Sequence, residues 1–286
     1  MAVESYTIGL VCSVGVGSER GGRATNQDNY LVCRDGIIRF READQEVVQA
    51  CEPHPGLLLA VADGMGGHED GDIASASAVQ AISRLYQRPP PADPEGTLLN
   101  FVLETHRLIR ERVAGQGEVK MGTTLSVAWI VDRRVHWVHV GDSRLYLWRK
   151  GRITRITRDH TREEFARRDM RTIPPHPRYL AQNFIYGSRG LGNDAGLRVD
   201  RGVDSGGFGL QTGDRLLLCS DGLHGRVEDA HLADALLNVP EPSAASVALM
   251  ERAIAYHSDD NITALVLRVD EITARQLGDE STVVPV

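Results

Sequence analysis

The stretch LLLAVADGMGG, residues 57–67, sets Asp63-Gly64 directly behind six unbroken apolar residues, Leu57 to Ala62. A short apolar run bounded by Gly56 on one side and Asp-Gly on the other reads as a strand buried on both faces. Three other segments repeat the arrangement: VHWVHVGDSR (135–144), RLLLCSDGL (215–223) and DDNITALVLRV (259–269). In the first two an aspartate follows the apolar run, and in the third Asp260 stands just ahead of one. Strand ends beside turns are where a sheet can gather several carboxylates. Such a cluster repels itself unless hard cations sit among the acids. The pattern therefore predicts a divalent-metal centre.

The 286 residues suit one large domain or two small ones, and 42% hydrophobic with 25% charged is ordinary for a globular protein with a sizeable core. A net charge of −7 gives no reason to expect nucleic acid or an anionic membrane as partner. No apolar run approaches the ~20 residues that span a bilayer. The opening MAVESYTIGLVCSVGVGSERGG lacks a basic region before its apolar stretch. That argues against a signal peptide and for a cytoplasmic protein. Cys12, Cys33, Cys51 and Cys219 stand apart, without a CxxC pair, and read as reduced thiols.

Periodicity predicts strands at 6–16 and 29–40, the second turning as a hairpin at Asp35-Gly36. Apolar positions from Ile73 to Tyr86 predict a helix stopped by Pro89-Pro90-Pro91. A second helix is expected from Leu98 to Val113. Strands follow at 123–131, 135–141 and 144–149, then an Arg- and Pro-rich polar segment over 158–189. Strands near 197–203 and 215–219, helices near 229–237 and 243–257, and a strand at 262–269 complete the chain. Residues 271–286 carry little pattern and read as a C-terminal tail. The acids span 63 to 260, so a single domain, 1–270, must bring them together.

GGRATNQDNY (21–30), VADGMGGH (61–68), MGTTLSV (121–127), VGDSRLY (140–146), ITRDHT (156–161), GLG (190–192), LLCSDGL (217–223) and DDNIT (259–263) follow one another in a known order. In this the chain resembles the metal-dependent serine/threonine protein phosphatases of the PPM (type 2C) family, its bacterial branch in particular. The resemblance covers roughly residues 6–270. It implies an α+β fold, an αββα sandwich of two antiparallel sheets flanked by helices, where periodicity alone yields only mixed α and β.

The resemblance also assigns roles. Asp63 would bridge two Mn²⁺ or Mg²⁺ ions, with the Gly64 carbonyl on one of them, and Asp221 and Asp260 would complete the first ion's sphere. Asp142, with Asp221, would hold a third, weaker ion. Arg23 would grip the substrate phosphate, a task suited to a fork that binds two oxygens at once. Asp28 would accept a hydrogen bond from metal-bound water. The implied partners are phosphorylated proteins, a bacterial serine/threonine kinase and its substrates among them.

Two positions depart from the family pattern. Gln27 stands where relatives carry a glutamate that holds the second metal through water, so that metal would bind more weakly. Met65 replaces a histidine that serves many eukaryotic members as general acid; bacterial members commonly share the methionine. Other features read as structural. His136 and His139, an odd number of residues apart on a strand, point to opposite faces and make no zinc pair. Gly15, Gly17 and Gly21-Gly22 do not match a nucleotide-binding loop. Thr123 and Thr124 read as β-formers beside the sheet, not nucleophiles. His160 and His176 carry no assigned role. The 158–189 segment reads as a surface loop, and by family analogy as a flap that influences substrate choice. Two other functions fit the same residues: a catalytically weak relative that binds a signalling partner, suggested by Gln27 alone, and a hydrolase of small phosphate esters.

Overall fold

The structure, a computed structural model, describes residues 4–16, 22–52, 56–65, 70–89, 91–114, 122–161, 164, 199–202 and 207–272. Its centre is β5 (Leu57–Met65), the strand formed by the apolar run that ends at Asp63. Successive side chains on a strand point to opposite faces. Leu58, Ala60 and Ala62 accordingly enter one core cluster, and Leu57, Leu59 and Val61 another. A run that is apolar at every position can be buried only in this way, between two layers.

β2 (Asp28–Arg34) and β7 (Leu125–Val131) flank β5, both antiparallel. Beyond β2 lie β3 (Ile37–Glu42) and β4 (Gln45–Ala50), and beyond β7 lies β8 (Arg134–Val140). The short β6 (Gly122–Thr123), β11 (Asp200–Arg201) and β12 (Phe208–Gly209) bring this sheet to nine strands among the described residues. A second sheet, of five strands among the described residues, runs β1 (Glu4–Ser13), β14 (Ile262–Ile272), β13 (Arg215–Cys219), β9 (Arg144–Arg149), β10 (Arg152–Arg155) in spatial order. The β2–β3 hairpin turns where expected. Asp35 and Gly36 both have positive φ, 51° and 76°, as a two-residue turn compatible with strand twist requires.

The sheets meet face to face through Leu57, Leu59 and Val61 on one side and Leu216, Leu218, Leu265 and Leu267 on the other. Outside the larger sheet, α1 (Asp70–Tyr86) and α2 (Pro94–Ala114) bury Ala78, Ile82, Leu98 and Val102 against it. Asp93 accepts a hydrogen bond from the Gly96 N–H at 2.9 Å, and Pro94 begins α2. An aspartate cap followed by proline in the first turn is a strong helix start. Outside the smaller sheet lie α3 (Asp221–His224), α4 (Asp229–Asn238) and α5 (Pro242–Ala255), with Leu232, Leu236, Leu249 and Ala253 turned inward. The order of layers is α, β, β, α, as the resemblance implies.

Several boundaries differ from expectation. The first strand stops at Ser13, before Gly15 takes up a positive φ. The second helix starts four residues earlier than expected, at its proline. β4 and β10 were not expected, because β4 is largely exposed and β10 is only four residues long. The last strand runs to Ile272, since Glu4 of β1 still pairs with it, so residues 271 and 272 are strand and not tail. Of the strand expected near 197–203, Asp200–Arg201 is formed. Most of the 158–189 segment, His176 included, and residues 273–286 lie outside the described residues. All four cysteines are free. Among the described residues no helix is long and apolar enough to cross a membrane.

Candidate metal centre

β5 carries Asp63 at the end of its apolar run, and Asp28, first residue of β2, is its direct cross-strand partner. The Asp63 backbone is held on both sides. Its N–H donates to Thr124 Oγ1 at 2.9 Å, and its carbonyl accepts from the Thr124 N–H at 2.8 Å and from Thr123 Oγ1 at 3.0 Å. The two threonines therefore do more than fill a strand: they fix the residue that carries the central carboxylate. Gly64 follows because nothing larger fits. A Cβ there would strike the backbone carbonyl of Gly71 in α1 and come within 2.6 Å of the Gln27 carbonyl.

Asp142 occupies the turn between β8 and β9, behind Gly141, whose φ of 106° favours glycine. His160 grips that turn twice: its N–H donates to the Gly141 carbonyl at 2.7 Å, and its Nδ1 accepts from the Gly141 N–H at 3.1 Å. From the opposite side His224 Nε2 lies 2.8 Å from the Asp142 carbonyl, as donor in the tautomer protonated there. Arg144 and Asp159 close the loop with a forked pair at 2.9 and 2.6 Å. The ITRDHT block thus acts as a clamp on the GDSR turn. His139, on the inter-sheet face of β8, bonds Ser126 through Nδ1, while His136 lies 3.7 Å from Glu95 of α2 on the other face. The two histidines diverge as expected.

Asp221 opens α3 at the end of β13, and Asp260 precedes β14. The acids feel one another. Burial, then Asp28, Asp221, Asp142 and Asp260 in turn, hold the Asp63 carboxyl well above the usual range. Burial raises Asp28 to about 7, although hydrogen bonds from Ser220 and Thr263 pull the other way. Burial and then the Asp221 charge raise Asp142 to about 8; burial and then Asp260 raise Asp221 to about 6. Four carboxyls in mutual repulsion at strand ends form the donor set a hard divalent cation prefers. Asp28 adds a buried Oδ1 that has no hydrogen-bond partner among the described residues. The residues present fit such an ion.

Two further expected residues have partners within the chain. The Arg23 guanidinium forks onto Asp260, Nε to Oδ1 at 2.8 Å and Nη2 to Oδ2 at 2.9 Å. An unbalanced carboxylate attracts the nearest cation, and Arg23, 57% exposed, is long enough to reach it. No three His, Cys, Asp or Glu side chains among the described residues close around one point. Gln27 is pinned by its backbone. Its N–H donates to Asn261 Oδ1 at 2.9 Å, and its carbonyl accepts from the Gly64 N–H at 3.1 Å and Ser75 Oγ at 2.7 Å. Its side chain packs against Gly71 near the start of α1.

Sequence reasoning passed over Asn261, which also donates through Nδ2 to the Thr25 carbonyl at 3.0 Å and so ties the Arg23–Gln27 segment to DDNIT. Its place inside that block was the available signal. Ser220 and Thr263 were missed for the same reason, each being a small polar neighbour of a conspicuous acid.

A family model for protein phosphatase 2C matches residues 42–254. The serine/threonine protein phosphatase PstP of Mycobacterium tuberculosis is 33% identical over 235 residues, covering 82% of this chain. The serine/threonine phosphatase stp of Listeria monocytogenes is 30% identical over 247 residues, covering 82% of this chain and 93% of its own length. A solved structure of the PstP catalytic domain in complex with two manganese ions superposes with a TM-score of 0.70 at 28% identity, covering 95% of this chain and 100% of that one. The chain spans 43% of the length of the full mycobacterial protein. With two sheets stacked between helices and the matched region running through both, the chain belongs to the protein phosphatase 2C family.

Proposed function

We propose that this protein is a cytoplasmic serine/threonine protein phosphatase that hydrolyses phosphoserine and phosphothreonine with two Mn²⁺ or Mg²⁺ ions. The observation that carries the reading is the group of carboxyls Asp28, Asp63, Asp142 and Asp221, each raised in pKa by burial and by neighbouring acids, Asp260 being the one that raises Asp221. Asp63, the Gly64 carbonyl, Asp221 and Asp260 are the proposed ligands of the pair, and Asp142 with Asp221 those of a third, weaker site. Bound there, such ions supply Lewis acidity and a water ionised near neutral pH.

The chain's own residues do the rest. Asp28 holds the attacking water through its unpaired Oδ1, and its burial keeps that bond strong. Arg23 leaves Asp260 to bind two phosphoryl oxygens, offsetting charge that builds as the bond to the leaving oxygen breaks. Met65 has no acidic proton to donate, so the leaving group takes its proton from water. Domain 1–270 is the catalytic unit, with phosphorylated proteins, including a bacterial serine/threonine kinase and its targets, as substrates.

The test is phosphate release from a phosphothreonine peptide with Mn²⁺, Mg²⁺ or EDTA, with a sugar phosphate as competitor. Turnover of the peptide that EDTA abolishes, and that Asp63→Asn lowers by several powers of ten with the fold intact, is the expected result. Preference for the sugar phosphate would favour the small-ester hydrolase. Near-normal activity of Asp63→Asn at saturating Mn²⁺ would overturn the metal assignment.

A further inference from the structure

Asp28 lies on the nine-stranded sheet, yet both donors to its Oδ2 come from the five-stranded one. Ser220 Oγ, just past β13, donates at 2.7 Å, and Thr263 Oγ1 of β14 donates at 2.7 Å. The serine rotor has little choice. Its oxygen accepts the Thr263 N–H at 3.0 Å, and its alternative acceptor, the Asn261 carbonyl, is farther away at 3.5 Å. Thr263 likewise has a closer acceptor in Asp28 than in Cys12 Sγ at 3.2 Å, and that sulfur also receives Asn26 Nδ2 at 3.4 Å. All of these groups are buried or nearly so.

One oxygen of the carboxylate is therefore saturated while Oδ1, also buried, has no hydrogen-bond partner among the described residues. Rotating the group would break two hydrogen bonds to a charged acceptor, the stronger kind. It would also leave the two hydroxyls with only their weaker acceptors, the Asn261 carbonyl and the Cys12 sulfur. A carboxylate locked at one oxygen can offer only the other.

We infer that Ser220 and Thr263 are positioning residues that lock Asp28 across the sheet interface, so that Oδ1 alone is presented to a cation-bound water beside Asp63. The inference rests on the metal reading above. It gives the two sheets a direct part in tuning the centre, because the donors and the acceptor reach one another only when the sandwich is fully packed.

Calorimetric titration with Mn²⁺ and steady-state kinetics on a phosphothreonine peptide test it, using Thr263→Val, Thr263→Ser and Ser220→Ala. Valine keeps the threonine shape and loses the hydroxyl; serine keeps the hydroxyl. Loss of a partner that orients a metal site's surroundings typically costs about 10- to 100-fold in affinity or activity. Thr263→Val and Ser220→Ala should weaken Mn²⁺ binding about 10-fold and lower kcat with KM unchanged, whereas Thr263→Ser stays within about twofold of wild type. Thr263→Val binding Mn²⁺ as wild type does, Thr263→Ser as impaired as Thr263→Val, or a loss confined to KM would each overturn the inference. A wild type that takes up no Mn²⁺ would overturn the metal reading itself, and this inference with it.

Discussion

Raising the pH through the neutral range in the absence of divalent cations should weaken this fold, and Mn²⁺ should cancel the loss. Burial holds Asp221 up to about 6, Asp28 to about 7 and Asp142 to about 8, against about 3.9 for an aspartate in an unfolded chain. Each such carboxyl keeps, in the folded state, a proton that the unfolded chain has already released. Its contribution to stability is whole below the unfolded pKa and is lost as pH rises through the folded one. His139 and His224, both lowered to about 3 chiefly by burial, have the opposite sign. They favour the fold above about 6.5 and withdraw that support as pH falls towards about 3. The two sets oppose one another from about 4 to 6.5, and from there to about 8 only the carboxyls act. A carboxyl still holding its proton sets a slope of about 1.4 kcal/mol per pH unit. One or two of them across the unit above pH 7 remove about 1–3 kcal/mol, or several degrees of Tm for a chain of this length. Cations bind only the deprotonated ligands, so their stabilisation grows as the acids release protons. Thermal melts in EDTA and in Mn²⁺, stepped across pH ~6.5 to ~8, measure both curves. A level or rising Tm in EDTA, or an equal fall in Mn²⁺, would refute the reasoning.

Asp221→Asn and Asp260→Asn should each lower kcat by several powers of ten through loss of the first metal, measured as phosphate release at saturating Mn²⁺. Arg23→Ala should raise KM for a phosphopeptide and lower kcat. Because the Arg23–Asp260 pair is 57% and 33% exposed, its release is worth under about 1 kcal/mol, and Mn²⁺ affinity by calorimetry should shift less than about fivefold. Gln27→Glu restores a negative charge near the proposed second metal and should move the Mn²⁺ activation curve about 10-fold lower with kcat little changed. An unmoved curve would place Gln27 outside that metal's surroundings, and a wild type that turns over only after this substitution would favour the partner-binding alternative.

The apolar runs ending in Asp63, Asp142 and Asp221 were legible as strands because a strand buried on both faces has no polar position to spare. The Asp35-Gly36 turn was legible because few residues accept positive φ in succession. The layer order came from the resemblance, since alternation alone does not say which sheet a strand joins. β4 is not legible because an exposed edge strand carries little hydrophobic pattern, nor is the start of the helix at Pro94, because its first turn is polar.

What the sequence determined by itself was local: which residue types end each strand, where glycine must stand, and hence which carboxylates could meet. What only the tertiary structure decided was partnership. Arg23 with Asp260, and Asp28 with Ser220 and Thr263, are 237, 192 and 235 positions apart, and no local preference encodes such pairs. The Asp28 pairs exist because two sheets pack face to face through an apolar interior, which leaves each buried polar group only the few partners that the opposite sheet brings within reach, while the more exposed Arg23 meets Asp260 because the fold brings their two loops together.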